Sequence, residues 1–339
     1  MKLLVLTPGF PRDESDDTCI PFLQDFMLMC KQKYGSDNLS VISFQYPFEK
    51  RRYEWNGIRV YSAGGKNRKG LLRLLTWRRV KQQAARWITP DTVIHSFWLT
   101  EAAELGANLT RKYKLKHVAS IMGQDALLTN NYLQRIDFSD LKVVAPNKKS
   151  AGYFNMHTGL DVHAIIPHTI TPPPFEHLER DIDLLFAGAF SELKQPHIFI
   201  QVVKNLLQSG LKVSATMIGE GELFEDVKNI ATTQNLPITF CGKISRKDVY
   251  MCMNRSRILL HTSRYEGHST VISEALASGC KVVCFDVGKT DNESIHVTHD
   301  KNEMTDVVKT ILETKNIYEP NYKDSPESAL ILYNDLYTN

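Results

Sequence analysis

Short runs of Val, Ile and Leu recur along the chain, separated by longer segments in which apolar residues return with helical spacing. In the first half the runs are Leu3 to Thr7, Leu39 to Phe44, Ile58 to Ser62, Thr92 to Phe97, His117 to Ile121, Val143 to Ala145 and Ala164 to Pro167. In the second half they are Leu184 to Ala187, Val213 to Gly219, Ile238 to Cys241, Ile258 to Thr262 and Lys281 to Phe285. Apolar runs of this length read as strands buried on both faces, and the segments between them as crossover helices. The pattern predicts an α/β architecture twice over. Between the halves lies IIPHTITPPPFEHLERD, where Pro172, Pro173 and Pro174 can continue neither a helix nor a central strand.

A length of 339 residues is roughly twice a usual domain of about 150, which agrees with two halves. The expected organisation is a first domain at 1–168, a linker at 169–181, a second domain at 182–318 and a closing segment at 319–339. In that last segment Ser325 is a candidate N-cap, and Leu330, Leu332 and Leu336 form a partial apolar stripe. Hydrophobic residues at 42% and charged residues at 23% exclude a disordered or collagenous chain.

Net charge is only +3, but its distribution is uneven. Residues 50–86 hold twelve Lys or Arg against the single acid Glu54, a net +11 that leaves −8 for the rest. Such an asymmetry suggests a face that meets something anionic. Residues 66–87 read as an amphipathic helix, with Leu71, Leu74, Leu75, Trp77 and Trp87 among arginines. Two readings stay open: peripheral contact with an anionic membrane, or leucines packed on the domain. No nucleic-acid-binding motif accompanies the charge. The six cysteines show neither a Cys-x-x-Cys pair nor metal-ligand spacing, so reduced thiols are expected. The N-terminal apolar run is too short for a signal peptide, and no stretch approaches the ~18 apolar residues of a membrane span. A cytoplasmic protein, at most at the inner face of the membrane, is the expectation.

Chemistry concentrates in LLHTSRYEGHSTVISEALASGCKVVCFDVG, residues 259–288. A strand ends near Thr262, a polar loop follows, and a helix opens near Ser269 or Thr270. Free backbone N–H groups at 269–271 and the helix dipole form an anion site that needs no metal. Glu266 lies in the loop and Glu274 about 6–8 Å along the helix axis at ~1.5 Å per residue, a ribose-sized step. One carboxylate can then take hydroxyls of a sugar and the other those of a ribose; Glu274 paired with a Lys on a solvated face is the alternative.

This run resembles the sugar-nucleotide signature of glycosyltransferase family 4: a Glu, seven residues, a second Glu, then EALASG before the next strand. LLFAGAFSELKQPHIFIQVV, MIGEGELFEDV with Gly219 and Gly221, ITFCGKIS, HVASIMGQDAL and AIIPHTI resemble other segments of that family in the same order, so the resemblance covers most of residues 1–290. It implies a GT-B fold, two Rossmann-like α/β domains facing across a cleft, with the C-terminal helix returning to the N-terminal domain. It further implies a retaining, metal-independent transferase that moves a hexose-type sugar from a nucleotide diphosphate donor to a saccharide or lipid-linked acceptor in polysaccharide or glycolipid assembly, without a resident cofactor. On this resemblance the donor site comprises Gly9, Gly188, Lys194, Gly219, Gly242, Ile244, His268, Ser269, Thr270, Val271 and Glu274. Glu266 and Lys194 act at the reacting centre. Two departures stand out: Ala189 occupies a position where Arg is common, and Met122 one where His contacts the sugar, so Asp125, Gln124 or His95 is expected to take over. A sugar-nucleotide epimerase and an inactive nucleotide-sugar-binding paralogue are the alternatives. Asp181 and Asp183 form an Asp-x-Asp where linker meets strand, which reads as a solvated turn rather than a metal site.

Overall fold

A computed structural model describes residues 1–68, 70–287 and 292–338. Lys69 of the basic segment, Gly288 at the end of the 259–288 run and Asn339 of the closing segment lie outside the described residues. The chain divides into two units, Met1–Thr169 with Asp324–Asn339, and Ile170–Lys323.

The first unit begins with β1 (Lys2–Gly9), α1 (Pro21–Tyr34), β2 (Leu39–Tyr46), β3 (Arg51–Trp55), β4 (Ile58–Ser62), α2 (Leu71–Trp87), β5 (Thr92–Phe97), α3 (Glu101–Tyr113), β6 (Lys116–Ser120), β7 (Lys142–Ala145), α4 (Lys148–Thr158) and β8 (Ala164–Ile165). Its strands form one sheet in the order β3-β4-β2-β1-β5-β6-β7-β8. All pairs are parallel except β3–β4, a hairpin turned by Asn56 and Gly57 at φ +50° and +76°, the left-handed pair that an Asn-Gly turn supplies. Along β1 the side chains alternate between two apolar layers. Leu3 and Val5 join Phe22, Phe26 and Phe97, while Leu4 and Leu6 join Tyr61, Val80 and Leu105. Burial on both faces is why Leu3 to Leu6 are apolar without alternation.

The second unit runs β9 (Ile182–Ala187), α5 (Pro196–Gln208), β10 (Ala215–Ile218), α6 (Phe224–Thr233), β11 (Ile238–Gly242), α7 (Arg246–Asn254), β12 (Ser256–His261), α8 (Thr270–Ala277), β13 (Lys281–Phe285), β14 (Ile295–Thr298) and α9 (Lys301–Glu313). Its six strands are all parallel, in the order β11-β10-β9-β12-β13-β14. This doubly wound order reverses direction between β9 and β12, and the carboxyl ends of strands at such a reversal are where α/β sheets bind ligands.

Residues 170–181, expected as a linker, belong to the second unit. The Arg180 guanidinium donates to the carbonyls of Met253 (3.1 Å) and Ser278 (2.7 Å) and stands 5.2 Å over the Tyr318 ring. Asp181 and Asp183 are likewise structural, ion-paired to Arg255 and Arg257.

After the second unit the chain re-enters the first as α10 (Pro326–Thr338). Its buried stripe is Ala329, Leu330, Tyr333 and Tyr337, whereas Leu332 points outward at 45% exposure. Tyr333 packs edge-on to Phe26 at 5.4 Å. Burial of each tyrosine contributes on the order of 1.5–3 kcal/mol. The helix α2 shows a mixed face: Thr76, Val80, Gln83 and Ala84 are buried, while Leu72, Leu74 and Leu75 stand 48%, 57% and 47% exposed. Leu74 and Leu75 thus leave about half of their surface open, while Trp77 and Trp87 of the same stripe pack against the core cluster that holds Val80 and Ala84. Among the described residues no helix is long and apolar enough to cross a membrane.

Candidate functional site

The carboxyl ends of β9 and β12 carry the loops that the sequence marks out. After β9 the backbone folds against the turn that follows β10: the Gly188 amide donates to Ile218 O at 3.0 Å and the Phe190 amide to Glu220 O at 2.9 Å. Gly219 sits at φ +128°, and a Cβ there would lie 1.9 Å from Gly188 O. At Gly221, φ +157°, a Cβ would fall within 2.8 Å of the Phe190 backbone. The Gly-x-Gly turn thus lets two loops touch backbone to backbone, a role no other residue can fill. Gly219 therefore has a packing role of its own, and its amide is engaged with Gly242 O. The Gly188 amide is also taken, yet a Cβ on Gly188 would meet only Phe186 Cζ at 4.0 Å, so its Cα faces open space. Gly242, at φ +64°, likewise has nothing within 4 Å, and its carbonyl accepts the Gly219 amide at 2.8 Å. Ile244 is half-buried against the cluster that holds Tyr250 and Ile272.

The β9 and β12 loops are laced together by the Thr262 hydroxyl donating to Lys194 O (2.7 Å) and the Arg264 amide donating to Leu193 O (2.9 Å). This lacing brings Lys194 Nζ onto Glu266 Oε1 as an ion pair. His261, the last residue of β12, completes the cluster. Its Nε2 lies 3.4 Å from Glu266 Oε1, 2.9 Å from Ser269 Oγ and 3.4 Å from Ser263 Oγ. His261 is 5% exposed, and its Nδ1 is buried without a hydrogen-bond partner. Burial pushes the Glu266 carboxyl upward, but the His261 hydrogen bond and the Lys194 charge outweigh it and hold the group at about 2.

Ser269 is the N-cap of α8, yet its hydroxyl makes no capping bond because it is turned to His261. The first-turn amides at Thr270 and Val271 have no intrahelical acceptor by helix geometry, so an uncapped N-terminus stands next to Lys194 and Glu266. His268 is buried at 9% exposure just before the cap. Glu274, four residues into α8 from Thr270, is 8% exposed and accepts from Arg246 Nε (3.3 Å) and the Tyr250 hydroxyl (3.4 Å). Arg246 and Tyr250 both come from α7, and Glu274 is buried rather than on a solvated face.

Residues 170–309 match the family described as Glycosyl transferases group 1. That match lies within the second unit. An uncharacterised glycosyltransferase of Methanocaldococcus jannaschii is 27% identical over 237 residues, which are 66% of this chain and 65% of that protein. The chain thus spans just under two thirds of that curated relative. Among solved structures, sucrose-phosphate synthase from Thermosynechococcus elongatus superposes with a TM-score of 0.73 at 14% identity, over 99% of this chain and 96% of that one. Anabaena HepE in complex with UDP and glucose gives 0.70 at 16%, over the whole of both chains. The fold is GT-B.

The second unit gathers Lys194, Glu266, Ser269, Thr270 and Val271 at its strand reversal, with Glu274 farther along the same helix. The first unit treats its expected residues differently. His95 is wholly buried on β5, where Nδ1 meets the Tyr337 hydroxyl (2.6 Å), Nε2 meets Ser120 Oγ (2.8 Å), and the ring stacks on Phe97 at 4.2 Å. Burial, with His117 and His168 nearby, holds its pKa well below the ordinary value. It is a neutral core residue, which corrects its expected place at the acceptor. Asp125 is also spent: its carboxylate accepts from the amides of Leu99 (2.7 Å), Gly123 (2.6 Å) and Met122 (3.1 Å), bracing two loops. Burial pushes its pKa up against those amides. Gly9 is buried, with Ile20 Cδ1 3.4 Å and Tyr46 Cβ 3.7 Å from where a Cβ would stand, and its φ is not positive.

Two residues escaped the sequence reading. His261 ends an apolar strand and looks like core; its signal is the spacing of five to Glu266 and eight to Ser269. Trp98 follows β5 at φ +70°, a strained conformation for a bulky residue, at the reversal of the first sheet between β1 and β5.

Proposed function

We propose that the chain is a retaining glycosyltransferase that moves a hexose-type sugar from a nucleotide diphosphate to a saccharide or lipid-linked acceptor. The observation that carries the reading is the Lys194–Glu266–His261 cluster beside the uncapped N-terminus of α8. As the anomeric bond breaks, negative charge grows on the leaving diphosphate. The Lys194 ammonium and the Thr270 and Val271 amides are preorganised to receive it, which supplies the charge a metal would otherwise bring. Capture of the diphosphate draws Lys194 from Glu266. The freed carboxylate then accepts hydroxyls of the donor sugar, and Glu274 those of the ribose. With no carboxylate nucleophile assigned, attack of the acceptor hydroxyl on the face of the leaving phosphate explains retention most simply.

HepE is solved with UDP and glucose, so uridine diphosphate and UDP-glucose head the donor panel. We place the acceptor on the first unit, with Trp98 as a stacking surface for a sugar ring. The exposed leucines of α2 support the peripheral reading, in which the acceptor is used at the inner membrane face. A catalytically inactive donor binder is the second reading, favoured by Asp125 and His95 being consumed in packing. An epimerase would change the sugar of the donor without any acceptor.

Isothermal titration with nucleoside diphosphates against wild type and Glu274→Ala tests the donor site; no binding tighter than ~1 mM, about −4 kcal/mol, refutes it. Donor hydrolysis without acceptor, lost in Lys194→Ala, separates enzyme from binder, since a binder shows none in either protein.

A further inference from the structure

The cations of the +11 segment are not spread evenly. Lys50, Arg51, Arg52, Arg79 and Arg86 line one pocket of about 370 Å³ in the first unit, together with Tyr61, Gln82 and Gln83, and no carboxylate lines it. The edge strand β3 supplies Arg51 and Arg52 after Lys50, and α2 supplies Arg79, Gln83 and Arg86, at helical spacing on one face.

These groups are oriented by uncharged partners. Arg52 donates twice to Gln83 Oε1, at 3.0 and 2.7 Å, and Gln83 is 2% exposed. Arg79 donates to Ala63 O at 3.2 Å, and the Arg51 guanidinium lies 4.4 Å over the Tyr53 ring while it donates to Arg12 O. Among the described residues none of the five makes an ion pair. Asp13, the carboxylate whose field reaches Arg51, pairs with Arg12. The fold therefore holds like charges together with their directions set and their charge uncompensated, which costs stability unless a counterion enters.

The planar forks of several guanidiniums converging on one space match phosphate oxygens two at a time. Tyr61 is 4% exposed and the Tyr53 face is already covered, so no open ring awaits a stacked base, which disfavours single-stranded nucleic acid. We infer that this pocket binds a phosphate-bearing anion, a diphosphate or a phosphorylated headgroup, at a site separate from the donor site of the second unit. The inference does not depend on the proposed transfer reaction. The exposed Leu72, Leu74 and Leu75 lie upstream on the same helix, so a lipid headgroup and a free phosphate compound are both sources of the same chemistry.

The test is calorimetric titration of the full chain with inorganic pyrophosphate, and flotation with phosphatidylcholine vesicles that contain or lack phosphatidic acid. Lys50→Gln and Arg86→Gln, both at exposed positions, are compared singly with wild type, with melting curves confirming the fold. Loss of one charge-assisted contact is expected to weaken pyrophosphate binding about tenfold, while uridine diphosphate binding stays unchanged. Lys194→Ala, which alters only the second unit, is expected to leave the pocket's share of pyrophosphate binding in place. Flotation that needs phosphatidic acid and falls in both variants assigns the headgroup; pyrophosphate binding that falls without any flotation assigns a soluble phosphate. If both variants match wild type in titration and flotation, the inference is overturned.

Discussion

Replacing Glu266 with Gln removes one carboxyl whose ionisation is linked to the stability of the second unit. In the fold its pKa lies at about 2, against an ordinary 4.5. Because the folded value is the lower, the ionised group stabilises the fold above the unfolded pKa, and that contribution disappears as pH falls toward the folded one. A difference of about 2.5 units at 1.36 kcal/mol each is worth about 3 kcal/mol at neutral pH; between pH 6 and pH 3 about 2 kcal/mol of it is lost. The Gln variant cannot ionise there, so the stability gap between wild type and variant should narrow by about 2 kcal/mol over that range. Urea unfolding read by circular dichroism measures the gap. All four tryptophans, Trp55, Trp77, Trp87 and Trp98, lie in the first unit, so a parallel fluorescence trace identifies which unit is melting. A gap that stays constant from pH 6 to pH 3 refutes the argument that Lys194 and His261 hold Glu266 ionised. The same shift bears on chemistry, since a carboxyl this acidic accepts hydrogen bonds at neutral pH and cannot serve as the proton donor.

Gly219→Ala forces a left-handed φ and an overlap with Gly188 O, so a loss of about 3 kcal/mol or more in the second unit is expected by thermal melting. Gly188→Ala meets no such neighbour and should melt like wild type, while weakening uridine diphosphate binding in titration if ligand approaches that Cα. His261→Ala releases the Ser269 hydroxyl to cap α8. The cap is worth about 1 kcal/mol, but the loss of a buried partner of Glu266 costs about 1–3 kcal/mol, so the second unit should melt no higher than wild type while diphosphate binding weakens in titration. Tyr337→Phe strips the partner from His95 Nδ1 inside the core and should cost about 1–3 kcal/mol in the fluorescence transition of the first unit.

The strands buried on both faces were legible because their apolar runs leave no other place to go. β3 was missed because RRYEW alternates charge with aromatics on an edge strand, although Asn56-Gly57 beside it is a hairpin signal. β14 was missed as well, its four residues too short and polar to stand out after Asp286. In the site, the Glu266, Lys194 and α8 residues were readable from motif and order. The fates of His95 and Asp125 were not, since whether a strand histidine or a loop aspartate faces solvent depends on what folds over it. For His95 the cover is Tyr333 and Tyr337, more than two hundred residues downstream. For Asp125 it is three backbone amides that only the closed loop brings together.

That cover has a consequence for how the chain is made. The first unit is encoded in two pieces with the whole second unit between them. A ribosome delivers Phe26 and His95 long before the tyrosines that seal them, and the second unit can fold in the interval, since its sequence is continuous. The unit that starts first therefore finishes last. A nascent chain stalled before residue 326 would display an open apolar seam around His95, which is a window for chaperone capture that closes only when α10 docks.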